Sequence, residues 1–195
     1  MPLLPFPEYE RLAAAAHGHL CAGQILGLRM ALYGARLLGL DDPAGADRKR
    51  LVTYVEIDRC VTDAIPIVTD CRLGKRALKF RDFGKVAATF CDLKGERSVR
   101  VVALESAKQR ARELYPELAP ANRQQMRAYR EMPEEELFSY RWVRVTFAPE
   151  DLPGYKAPRA VCAECGEGVS FKREVIHEGR TLCRACAGER YYDPL

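Results

Sequence analysis

Two C-x2-C pairs dominate the end of the sequence, Cys162 with Cys165 in CAEC and Cys183 with Cys186 in CRAC, with seventeen residues between them. Each pair lets two sulfurs of one tight loop converge on one ion, and two pairs supply the four thiolates of a tetrahedral zinc site. The segment between them, GEGVSFKREVIHEGRTL, reads as a strand, the turn HEG and a second strand. It has too few large apolar residues to make a core, so metal binding would supply most of its folding free energy. A redox dithiol or two disulfides are the alternatives to zinc. The residues after Cys186, AGERYYD, can begin a helix, which gives a treble clef, with a plain zinc ribbon as the other reading. His177 falls in the hairpin turn and is expected at the surface. A fully ligated ion offers no open position to water or substrate, so this site is structural, and a role as a platform for protein or nucleic acid is analogy alone.

Eight cysteines in 195 residues lie well below the roughly 8–10% of a disulfide-built scaffold. The composition, 48% hydrophobic and 30% charged, excludes a disordered or fibrous chain. The opening MPLLPFPEYERL has no basic region of a secretory leader. Residues 12–28 carry no Asp, Glu, Lys or Arg, just enough for the roughly 17-residue minimum of a membrane span. His17, Gly18, His19 and Gln24 make a buried helix of a soluble protein the better reading. The expected compartment is therefore the cytoplasm, where clustered cysteines mean metal or catalysis more often than cystine.

Apolar periodicity at Leu20, Ile25, Leu28, Leu32, Leu37 and Leu38, stopped by Gly39, predicts a helix over Ala22 to Leu38. Gly23, Gly27, Ala31 and Ala35 form a small-residue stripe along it, which would admit another backbone within the chain or across a dimer. LVTYVEI alternates as a strand. VTDAIPIV is expected to be a short helix ending or kinking near Pro66. LKF, VAATFCDL and SVRVVAL read as short strands, residues 106–114 and 120–131 as helices, the run after Pro133 as a helical turn, and RWVRVTF, residues 141–147, as a last strand. APEDLPGYKAP then has the proline and glycine content of an extended linker. The expected organisation is an α+β domain over residues 1–147, with helices on a mostly antiparallel or mixed sheet, a linker over 148–159 and a four-cysteine zinc module over 160–195.

The net charge is +4, and Arg72, Lys75, Arg76, Lys79, Arg81 and Lys85 cluster within fourteen residues, opposed by Asp82. Such a run meets an anion or is a solvated face. No interleaved aromatic ladder points to nucleic acid, which is the less favoured partner. His17, His19 and Cys21 share one short segment at the entrance to the long helix, where the helix dipole favours thiolate. His19 and Cys21 can turn to one side and share an ion. Cys60, in EIDRCVTDAI, and Cys71, in TDCRLGKRAL, add sulfur at the ends of other elements. Cys91, inside a strand, reads as a small apolar core residue.

HGHLCAGQILGLRMA, VEIDRCVTDAI and TDCRLGKRALKFRDFGKVAATF, taken in order, resemble the FmdE family, the proteins similar to the FmdE component of molybdenum formylmethanofuran dehydrogenase, over residues 10–147. The resemblance implies an α+β core, commonly dimeric, often followed by a cysteine-rich zinc module. It implies a metal site at His19, Cys21 and Cys60, with His17 and Cys71 as further ligands or neighbours. Three positions depart from the family pattern: Ala22 stands for proline, Pro66 for glutamine, and Asp70-Cys71-Arg72 for Gly-Cys-Thr.

An activity does not come with the family. There is no iron–sulfur cysteine run, no Walker loop and no dinucleotide-binding glycine signature. Three functions compete. The first is an accessory or metal-handling protein with structural zinc and a second soft-metal site, acting as a homodimer or on a protein partner. The second is a metal-dependent enzyme with an open zinc position, Asp58 or Asp63 as base, and Lys75, Arg76 or Lys85 holding an anionic substrate. The third is a zinc protein associated with nucleic acid or transcription.

Overall fold

The computed structural model describes residues 3–193, which divide into two units, the first running to Val145 and the second beginning at Thr146. Helix α1, Phe6–His17, has Pro7 and Glu8 in its first turn, both suited to a helix start. It ends because Gly18 turns left-handed, at φ 90°, and donates its N–H to the Ala14 carbonyl. The uncharged stretch 12–28 is thus two helices rather than one. Beyond a short connection α2 runs over Ala22–Leu38, the bounds the periodicity predicts, and stops at left-handed Gly39.

The first unit is built on a five-stranded mixed sheet of order β2-β1-β3-β4-β5. Its strands are β1 Leu51–Val55, β2 Leu78–Phe80, β3 Ala87–Asp92, β4 Arg97–Ala103 and β5 Phe138–Val143. β1 and β2 are parallel, and the other neighbours are antiparallel. The register sets Phe90 opposite Val99 and Ala88 opposite Val101, and these four side chains join the buried core together with Ile25, Leu28, Met30 and Leu38 of α2. Gly34 is what lets the helix lie on the sheet there, since a Cβ at that position would fall 2.2 Å from the Phe90 ring.

Helix α3, Cys60–Thr69, packs against α2 through the small-residue stripe. A Cβ on Gly23 would meet the Cys60 Cβ at 3.2 Å, and one on Gly27 would meet the Val61 carbonyl oxygen at 2.5 Å. The stripe therefore faces a neighbour within the chain. α3 passes through Pro66 for another three residues instead of ending there. Burial of Val61, Ala64, Ile65 and Val68 offsets the roughly 3 kcal/mol that an interior proline costs.

Three more helices, α4 Ser106–Leu114, α5 Ala121–Glu131 and α6 Glu134–Leu137, lead to β5. Arg29 of α2 donates to the carbonyls of Tyr129, Arg130 and Met132, at 2.9 Å each, and so places a cation at the negative end of α5. β5 begins three residues before the expected RWVRVTF and ends at Val143. The register with β4 explains the shift, because buried Phe138 pairs with Ala103 and fixes the strand from its amino-terminal end.

The second unit contains two small antiparallel pairs, β6 Ala160–Val161 with β7 Gly168–Val169, and β8 Val175–His177 with β9 Arg180–Leu182. Glu178 and Gly179 both have positive φ, 49° and 75°, as a two-residue hairpin turn of the primed type requires. Where the sequence predicts a helix after Cys186 there is a single wide turn around that residue, Ala185–Glu189, broken where Gly188 takes φ 104°. Among the described residues no helix is long and apolar enough to cross a membrane.

Candidate metal centres

Among the described residues two groups of side chains bring metal-binding atoms within 4.8 Å of one another: Cys162, Cys165, Cys183 and Cys186, and separately His17, His19 and Cys21. The first group is assembled from two loops. Cys162 and Cys165 lie on the knuckle between β6 and β7, tightened by Gly166, whose N–H bonds the Cys162 carbonyl at 3.0 Å with φ 74°. The hairpin is tied to that knuckle by Ala163 N–H on the Thr181 carbonyl at 2.8 Å. Cys183 and Cys186 follow β9, and the Cys186 amide points at the Cys183 sulfur at 3.4 Å.

The sulfurs fit the ion. Zn–S bonds of about 2.3 Å in a tetrahedron give edges of about 3.8 Å, and Cys165 Sγ lies 3.9 Å from Cys183 Sγ. The backbone amide of Cys165 leads the groups that push Cys162 down to about 6, whereas the neighbouring thiol of Cys183 leads those that push Cys186 up to about 12. One thiolate is thus favoured and the accumulation of more is opposed, so a divalent cation is what lets all four ionise together. His177 is exposed on the hairpin, as expected.

The second group sits where three helix ends meet. His17 is the last residue of α1, Cys21 caps the start of α2, and Cys60 is the first residue of α3. The rings of His17 and His19 are 4.9 Å apart. His17 Nδ1 lies 3.0 Å from Asp63 Oδ2, in the first turn of α3. His17 and Cys21 are half-buried, while His19 is exposed. Two imidazoles and a thiolate are a donor set that suits zinc or another soft transition metal.

The other sequence-predicted residues are placed differently. Cys60 lies outside the three-residue group but against it: burial pushes its thiol up, as does the Cys21 thiol hydrogen-bonded to it. Cys71 is not brought to the centre. It is fully buried, takes a hydrogen bond from the Thr53 hydroxyl at 3.4 Å, and burial raises its pKa. Cys91 is likewise a core residue, pushed up to about 11 by burial. Of the three cations expected to hold an anion, Lys75 is paired with the Asp70 carboxylate, Arg76 is half-buried in the left-handed region at φ 58°, and Lys85 is exposed. The Asp63 contact to His17 crosses 46 residues of sequence, and no local pattern reveals it.

Residues 16–139 match the family described as FmdE, molybdenum formylmethanofuran dehydrogenase operon, and residues 157–192 match the prokaryotic dksA/traR C4-type zinc finger. A relative from Archaeoglobus fulgidus, described as a probable S-adenosyl-L-methionine-binding protein, is 30% identical over 90% of this chain, which spans about half (51%) of that protein. The crystal structure of a tungsten formylmethanofuran dehydrogenase FmdE-like protein from Syntrophus aciditrophicus superposes with a TM-score of 0.66 over 98% of this chain and 100% of that one, at 22% identity. That likeness is one of fold.

Proposed function

The chain belongs to the FmdE family, and from that premise we propose that it is an accessory, metal-handling protein that carries two ions. One is the structural zinc of the four-cysteine module. The other is a zinc or similar soft ion held by His17, His19 and Cys21, with Cys60 placed to close or open its fourth position. The observation that carries this reading is the convergence of those three donors at the meeting point of α1, α2 and α3. Two imidazoles and a thiolate gathered at one point, one of them beside a carboxylate, are arranged as ligands of an ion are. The knuckle, hairpin and closing turn of the second unit support a treble clef with its helix shortened to one turn, a module that would meet a protein partner.

Metal analysis tests it. The purified chain is expected to hold two ions, and Cys21→Ser to hold one, with an unchanged far-UV spectrum. A chain with a single ion, lost only when Cys162 or Cys165 is replaced, would overturn the reading.

A second reading is that the chain binds S-adenosylmethionine. The 30% identity to the Archaeoglobus protein across nine-tenths of this chain favours it. Calorimetric titration of the metal-loaded protein with that compound is expected to give a saturable isotherm, and a flat one excludes this second reading without touching the first.

A further inference from the structure

We propose that Asp63 is the positioning residue of the amino-terminal centre: its carboxylate holds the proton on His17 Nδ1 and so leaves the Nε2 lone pair for the ion shared with His19 and Cys21. This assignment rests on the two-ion reading above. Its geometry is direct, a 3.0 Å contact between His17 Nδ1 and Asp63 Oδ2. An ionised carboxylate only accepts, so a neutral imidazole facing it must carry its proton on Nδ1, and that nitrogen is then unable to bind metal. Nε2 is the donor that remains.

Metal-binding imidazoles are characteristically oriented in this way by a carboxylate on the other ring nitrogen, which also raises their basicity. The contact joins two elements. His17 ends α1 and Asp63 lies in the first turn of α3, so the ring is set against the same helix that presents Cys60. In this assignment Asp63 orients a ligand rather than acting on a substrate. Its acceptor oxygen faces a protein nitrogen. A plain surface ion pair, the alternative account of this contact, would stabilise the α1–α3 junction slightly and leave metal binding unaffected.

The 195-residue chain, its Asp63→Ala variant and its Asp63→Asn variant separate the two accounts. Cobalt(II), in competition with zinc, is the probe. Asp63→Ala is expected to weaken cobalt affinity at this centre by about 10–100-fold, while the Cys21 thiolate charge-transfer band still forms at saturation and the four-cysteine site keeps its affinity. Asp63→Asn can still accept from Nδ1 but carries no charge, and should fall between wild type and alanine. Nitrogen-15 spectra of the protein with the centre metal-free, at alkaline pH, should show His17 as the Nδ1–H tautomer in wild type and as a mixture in Asp63→Ala. Unchanged affinity and an unchanged tautomer in Asp63→Ala overturn the assignment. A wild-type chain that takes up cobalt at the four cysteines alone overturns the two-ion reading and this assignment with it, so the two failures are told apart.

Discussion

Removal of zinc, or replacement of Cys162 or Cys183 by serine, is expected to unfold the residues beyond Thr146 and to leave the five-stranded unit folded. The reason is how little else holds the second unit. Among its described residues the buried apolar side chains are Cys162 and Leu182, and Cys162 is itself a ligand. A fully buried leucine contributes about 1.5–3 kcal/mol, whereas ordering one residue costs about 1–2 kcal/mol in backbone entropy alone. The two hairpins are two or three residues long on each strand, and isolated hairpins of that size are marginal in water. Apparent binding free energies of structural zinc, about 10–16 kcal/mol, are large enough to reverse that balance. Amide exchange is the measurement. Protection at Cys162, Ala163 and Gly166, whose amides are bonded to Glu167, Thr181 and Cys162, should vanish with a chelator, while protection in β3 and β4 persists. A metal-free protein that keeps those three amides protected would show that the module folds without its ion.

How much of this is legible in the sequence depends on how far apart the interacting residues lie. The four-cysteine site is visible because its spacing is local: each pair is one turn, and the two pairs are joined by a hairpin whose turn is written in Glu178-Gly179. α2 is visible because its apolar period and its stop at Gly39 are local too. α1 is harder to see, although Pro7, Glu8 and the buried Tyr9 and Ala13 are a helix start and one face; the uncharged stretch that begins inside it draws attention to hydrophobicity instead of to Gly18. β5 is displaced from its expected place because strand propensity in RWVRVTF says nothing of register, which Phe138 sets against β4. Cys71 resembles a candidate ligand by residue type alone. Its partners, the Thr53 hydroxyl and the Leu51 carbonyl, come from a strand about twenty residues away. The Asp63 contact with His17 is longer in range still. Local chemistry is written in the sequence, and the choice among candidate ligands is made by packing between helices.

That packing makes Gly27 a residue on which fold and metal centre both depend. A Cβ there would stand 2.5 Å from the Val61 carbonyl oxygen, 2.9 Å from the Ala64 Cβ and 3.0 Å from the Val61 Cα. Two of these atoms are backbone and the third is fixed to it, so no flexible side chain can give way and α3 itself must move. Overpacking of a filled core costs about 1–3 kcal/mol and occasionally more. Against it stands the gain of about 1 kcal/mol when alanine replaces glycine within a helix. Gly27→Ala is therefore expected to lose up to about 2 kcal/mol, and Gly27→Val, with two further methyl groups at the same contact, about 3 kcal/mol or more. α3 carries Cys60 and Asp63, so its displacement should also weaken cobalt binding by His17, His19 and Cys21 in the alanine variant, although residue 27 touches none of these ligands. Denaturant melts followed by cobalt titration measure both effects on one sample. Were Gly27→Ala more stable than wild type, the helix-propensity gain would have prevailed, and the close approach of α2 to α3 could not be what holds the three helix ends together. Were it destabilised with cobalt affinity intact, the centre would be set by the His17–Cys21 segment alone, independently of α3.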